Sequence, residues 1–125
     1  MKIKQVMNKA LVVEDNLNLK QAAKIMSHKN IGSLIVMKKD KIVGIITERD
    51  IIKNVNKLDS KLSNVMSKSL ITIDDGESLD KAALLMAEHK IKKLPVLKNK
   101  RLVGIVTATD VLANVEDLNE QFLFN

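Results

Sequence analysis

Val43-Gly44-Ile45-Ile46-Thr47-Glu48-Arg49-Asp50 reads as an apolar strand running straight into the start of a helix. The pattern returns as Val103-Gly104-Ile105-Val106-Thr107-Ala108-Thr109-Asp110, an offset of 60 residues (103 − 43). Working outward, Leu19, Ala22, Ala23, Met26 and Ile31 stand over Leu79, Ala82, Ala83, Met86 and Ile91 at the same offset. Further back, Val6-Met7-Asn8-Lys9-Ala10-Leu11 stands over Val65-Met66-Ser67-Lys68-Ser69-Leu70, now offset by 59 (65 − 6). One residue has therefore been inserted, and the sequence places it in the Asp74-Asp75-Gly76-Glu77 turn. A chain that repeats itself in this order is a tandem duplication.

Each copy follows one local plan. A short apolar run, Leu11 to Val13 or Leu70 to Ile73, predicts a strand. Asn18 followed by Gln21 matches a capping box, and Ser78 caps the second copy. Leu19, Ala22, Ala23 and Met26 repeat at the spacing of an amphipathic helix, as do their counterparts in the second copy. Leu34 to Met37 and Ile42 to Thr47 predict a hairpin around Lys38-Lys39-Asp40-Lys41; Leu94 to Leu97 and Leu102 to Thr107 predict its twin. Thr47 and Thr107 can cap a second helix. The order is β-α-β-β-α twice, an α+β fold, with residues 1–58 as the first repeat, residues 59–125 as the second, and Leu58 to Asn64 as linker. A repeat of this size cannot cover both faces of its own sheet. Packing the copies across a pseudo-twofold axis would cover them, and would create two related clefts suited to small ligands.

Composition narrows the function. The 125 residues include no Cys, which removes disulfides, thiol nucleophiles and thiolate metal sites. No apolar run is long enough for a membrane span, and Met1-Lys2-Ile3-Lys4-Gln5 lacks the apolar core of a signal peptide, so a soluble, cytoplasmic protein is expected. The net charge of +6 suits an anionic partner. Nucleic acid is the weaker choice, because Phe122 and Phe124 are the only aromatic residues and stacking platforms need more. No Ser–His–Asp spacing or P-loop suggests catalysis, and no His and carboxylate cluster suggests a metal. His28 and His89 near helix ends are explained by the favourable placing of a cation there.

The repeat ending in Gly44-Ile45-Ile46-Thr47-Glu48-Arg49-Asp50 resembles a cystathionine β-synthase (CBS) domain, and residues 4 to 116 or so resemble a CBS pair, a Bateman module. Lys93-Leu94-Pro95-Val96 matches the family's apolar-Pro-Val strand, whereas the first repeat has Ile35 in place of the proline. The resemblance implies a non-enzymatic regulator that binds AMP, ADP, ATP or S-adenosylmethionine and associates through its helices into a homodimer of pairs. It needs no cofactor beyond that regulatory ligand and acts on a separate, unidentified protein. A DNA- or RNA-binding CBS protein and a ligand-free dimerisation adaptor are the alternatives.

Within that resemblance, Thr47 with Asp50 and Thr107 with Asp110 are the expected ribose and phosphate ligands. A carboxylate can accept two bonds from a ribose diol, a neighbouring hydroxyl can reach ribose or phosphate, and a helix start offers free N–H groups. The plainer reading is that each Thr caps its helix and each Asp sits favourably in the first turn. Lys92 and Lys93, ahead of Pro95, are expected to face phosphate, or else form a solvated turn. Gly32 and Ser33 hold those places in the first repeat without charge, and Arg49 could compensate there with a bidentate fork or pair with Glu48 or Asp50. Gly44 and Gly104 inside strands signal a close approach, by ligand or by packing. Leu84, Leu85 and Ala87 widen the apolar stripe of the second copy's helix, which fits a dimer interface. The tail from Glu116 to Phe124 can be read as docking on a partner subunit or as fraying.

Overall fold

The residues flanking the first long helix of each copy fix its two ends. In the computed structural model, which describes residues 1–68 and 70–114, helix α1 spans Leu19–Lys29 and follows strand β1 (Val12–Glu14). The Gln21 N–H donates to Asn18 Oδ1 at 2.8 Å and the Asn18 N–H donates to Gln21 Oε1 at 2.9 Å, the expected reciprocal box. Asn30 then turns left-handed (φ 54°), which lets the Ile31 N–H donate to the Met26 carbonyl at 3.0 Å. The twin of α1 is Leu79–His89, capped by Ser78 at the front and by left-handed Lys90 behind.

Strands β2 (Ser33–Lys38) and β3 (Lys41–Thr47) form the antiparallel hairpin, and β1 lies parallel to β2, giving the order β1-β2-β3. Helix α2 (Glu48–Lys53) follows, then α3 (Leu62–Val65). The second copy has β4 (Ile73–Asp74), α4 (Leu79–His89), β5 (Lys93–Lys98), β6 (Arg101–Thr107) and α5 (Ala108–Ala113), with sheet order β4-β5-β6. This is the expected β-α-β-β-α order twice. Both hairpins carry a register shift, between Val36 and Met37 and between Val96 and Leu97, so the duplication extends to a bulge.

Alternation along the strands sets the core. Leu34, Val36 and Ile46 are buried with Leu19, Ala22 and Met26 in one cluster; Leu94, Val96 and Val106 are buried with Leu79, Ala82 and Met86 in the other. Ala83, expected on this stripe, is exposed instead, because one residue past Ala82 lies about 100° round the helix.

The compact units do not coincide with the two repeats. One unit is Ala10–Leu70; the other joins Met1–Lys9 to Ile71 and the residues after it. Each repeat's leading segment is thus built into the body of the other repeat. Ile3, in a 3-10 turn (Ile3–Gln5), is fully buried beside Leu79 and Val96, and its N–H donates to the Glu77 carbonyl at 2.9 Å. Leu62 does the same for the first repeat, fully buried beside Leu19 and Val36, with its N–H on the Leu17 carbonyl at 3.1 Å. The stretch expected to be a plain linker therefore contains a helical turn and a core residue.

Main-chain bonds also move the inserted residue. Asp15 N–H donates to the Met37 carbonyl (3.1 Å) and Asp75 N–H to the Leu97 carbonyl (2.9 Å), both pairs already at offset 60. Asn8 and Ser67 occupy equivalent places opposite Ile105 and Ile45, at offset 59. The extra residue lies between Ser67 and Ile73, ahead of β4, and the Asp74-Asp75-Gly76-Glu77 turn matches its counterpart in length. Pro95 shapes the same region. In repeat 1 the Ile35 N–H donates to the Leu11 carbonyl at 2.9 Å; Pro95 has no N–H, and β4 pairs only from Ile73 opposite Val96.

Candidate functional site

Thr47 and Thr107 end their strands in extended conformation and cap α2 and α5. The Asp50 N–H donates to Thr47 Oγ1 at 3.4 Å, while the Thr47 N–H and Oγ1–H donate to Asp50 Oδ2 at 2.8 and 3.1 Å. In the second copy the Asp110 N–H donates to Thr107 Oγ1 at 3.2 Å, and Thr107 N–H and Oγ1–H donate to Asp110 Oδ2 at 2.9 and 2.8 Å. The capping reading of these pairs is therefore real, and it goes further than expected because each Asp reaches back to its Thr. Both Asp residues are half-buried. In each, one carboxylate oxygen does the capping, and among the described residues the other, Oδ1, has no hydrogen-bond partner. An acceptor-only group held at one oxygen can accept a hydroxyl at the other.

The other candidates gather at the same caps within each unit. Ser33 faces Thr47, and Lys93 faces Thr107, as direct strand partners. The Glu48 N–H donates to the Gly32 carbonyl at 3.2 Å, and the Ala108 N–H to the Lys92 carbonyl at 2.8 Å. Lys92 is exposed and Lys93 half-buried, so the second cap has two cationic side chains beside it where the first has Gly32 and Ser33. Arg49 is exposed next to Asp50, and among the described residues it forms no ion pair with Glu48 or Asp50. Pro95 is buried opposite Ile105, two residues along β5 from Lys93.

The strand glycines are packing positions. A Cβ on Gly104 would lie 2.7 Å from the Asn8 carbonyl oxygen and 2.9 Å from Met7 Sδ; one on Gly44 would meet the Met66 side chain. What approaches is the leading Val-Met segment, so of the two readings, ligand or packing, these positions show packing. The sequence reading missed Asn8. Its Nδ2 donates to Asp110 Oδ2 at 2.8 Å, across 102 positions of chain. The available signal was Asn8 standing where Ser67 stands in the other copy.

Among the described residues no group of three or more His, Cys, Asp or Glu is placed to hold a metal ion, and no helix is long and apolar enough to cross a membrane. Leu84 is 51% exposed and Ala87 is exposed, while Leu85 packs on its own core. The tail from Glu116 to Phe124 lies outside the described residues.

Two β-α-β-β-α repeats with matched Thr–Asp caps define a duplicated α+β fold, and comparison with known proteins gives its family. The chain belongs to the CBS domain family, whose model matches twice, over residues 3–57 and 62–117. It is 36% identical over 110 residues to the uncharacterized protein YlbB of Bacillus subtilis, covering 83% of this chain and 74% of that one. It is 34% identical over 101 residues to the uncharacterized protein MJ1232 of Methanocaldococcus jannaschii; this covers 80% of the chain but 34% of that protein, so the chain spans about a third of that relative. Among solved structures it is similar to the CBS domain pair of protein MJ0100 in complex with 5′-methylthioadenosine and S-adenosyl-L-methionine, with 31% identity and a TM-score of 0.83, over 90% of this chain and 94% of that one.

Proposed function

We propose that this CBS pair is a regulatory module that binds an adenosine-containing nucleotide (AMP, ADP, ATP or S-adenosylmethionine) at its two Thr–Asp caps. Occupancy changes its shape, and a separate protein reads the change. The module is non-enzymatic and cytoplasmic, and works as a homodimer joined through its helices. The observation that carries this reading is the twin cap: two half-buried carboxylates, each fixed at Oδ2 and open at Oδ1. A carboxylate so held is suited to the hydroxyls of ribose, with Thr47 or Thr107 beside it. Lys92 and Lys93 supply charge for phosphate at the second cap, with Pro95 stiffening the strand behind them. Arg49 supplies it at the first, beside Gly32 and Ser33. The S-adenosylmethionine and methylthioadenosine complex of the MJ0100 pair supports the ligand class. The two caps differ in charge, so their affinities differ.

The chain has no Trp or Tyr and should barely absorb at 280 nm. An ultraviolet spectrum of the purified protein, followed by denaturation and mass spectrometry of what is released, tests the reading directly. Release of an adenosine nucleotide or S-adenosylmethionine supports it. Release of polynucleotide favours a nucleic-acid-binding role instead.

A further inference from the structure

The Thr–Asp hydrogen bonds of the two caps match one for one. Asn8 pairs with Ile105 through its main chain in both directions, at 2.8 and 2.9 Å, and Ser67 pairs with Ile45 in the same way, at 3.1 and 3.0 Å. Only at Asn8 does the side chain go on to reach the cap, with Nδ2 donating to Asp110 Oδ2 at 2.8 Å. A carboxylate accepts and does not donate, so the amide must present its nitrogen here. Asp110 Oδ2 then takes three donors: the Thr107 N–H, the Thr107 hydroxyl and Asn8. Among the described residues the Asp50 carboxylate takes its donors from Thr47 alone. Turning the Asp110 carboxylate out of this orientation would break three hydrogen bonds; turning that of Asp50 would break two. Asn8 is exposed, but its main chain is held by two bonds to Ile105, which keeps its side chain beside the cap.

We propose that Asn8 is a positioning residue for Asp110. It locks the carboxylate with Oδ1 presented to a ribose hydroxyl, so the Thr107–Asp110 cap distinguishes ribose from deoxyribose more sharply than the Thr47–Asp50 cap does. This rests on the reading that the caps bind ribose. Asn8→Ser is the informative variant, because Ser67 shows that serine supports the same main-chain pairing.

The experiment is calorimetric titration with AMP and with 2′-deoxy-AMP. It compares Asp50→Ala, which isolates the second cap, with the Asp50→Ala/Asn8→Ser double variant. Loosening the carboxylate by one hydrogen bond should weaken AMP about three- to tenfold, the range of an ordinary net hydrogen bond, while 2′-deoxy-AMP changes little, so the preference for ribose contracts. In the converse pair, Ser67→Asn added to Asp110→Ala should widen that preference at the first cap. If Asn8→Ser weakens both nucleotides alike, Asn8 is merely structural and the proposal fails. If it weakens neither, the proposal also fails, and in both cases the nucleotide reading stands. If the wild-type protein binds AMP but Asp50→Ala does not, the second cap is not a ribose site and the proposal falls alone. If the wild-type protein binds no AMP, the proposal falls together with AMP as the ligand.

Discussion

Met7 packs on Gly104 as Met66 packs on Gly44, but the two contacts differ in what stands behind them. At Gly104 an added Cβ would meet the Asn8 carbonyl oxygen at 2.7 Å as well as the Met7 sulfur; at Gly44 its three nearest neighbours would all be atoms of the Met66 side chain. The Asn8 carbonyl accepts from the Ile105 N–H and cannot move aside without breaking that bond. A thioether can re-pack.

Gly104→Ala should therefore destabilise the protein by about 1–3 kcal/mol, in the range of overpacked cores, and Gly44→Ala should cost less. Urea unfolding of the two variants checks the order. Equal costs would mean that the Asn8 carbonyl yields as easily as a methionine.

The capping boxes should be worth about 0.5–2 kcal/mol each. Thr47→Ala and Thr107→Ala lose the hydroxyl that accepts from Asp50 N–H and Asp110 N–H, and should lower the unfolding free energy measured in urea by that amount. Thr→Ser at either position keeps the oxygen and should recover most of it.

Much of this was legible because it is local. The Asn18–Gln21 box, the Ser78 cap, the hairpins and the Thr–Asp pairs join residues no more than 14 positions apart, and sequence spacing reports such pairs well. The exchange of leading segments was not legible. Ile3 and Leu62 are single apolar residues without periodicity, and nothing nearby shows that each belongs to the other repeat's core. The Asn8–Asp110 bond was hidden for the same reason, its partners being 102 positions apart. The inserted residue was misplaced because the acidic turn looks irregular in sequence, whereas its main-chain bonds match those of the first copy.

Ile35→Pro would write the second repeat's proline into the first. It deletes the Ile35 N–H bond to the Leu11 carbonyl and leaves that acceptor without its partner. The expected cost is about 1–3 kcal/mol, with β1 shortened at its start. Urea unfolding gives the cost, and faster amide exchange around Val12 would locate it; an unchanged midpoint would show that the ladder bond contributes nothing.

The proposed helix-mediated dimer can be tested at Leu84, which is 51% exposed, and at Leu112, which is 58% exposed. Leu84→Asp should leave the fold intact, since the side chain lies outside the buried cluster, and should reduce the particle to the 14.0 kDa monomer in light scattering. A wild-type protein already at that mass would remove the dimer from the account.

The central claim is that adenosine nucleotides bind at the two Thr–Asp caps. The most direct test is thermal unfolding of the wild-type protein and of the Asp50→Ala/Asp110→Ala variant, each with millimolar AMP, ADP, ATP or S-adenosylmethionine. A ligand at 100 times its Kd stabilises the folded state by about 2.7 kcal/mol, a shift of several degrees. The account predicts such a shift for at least one of these ligands in the wild-type protein and its loss in the double variant, measured against the variant's own ligand-free midpoint. No shift with any of them, or one that survives loss of both carboxylates, would contradict it.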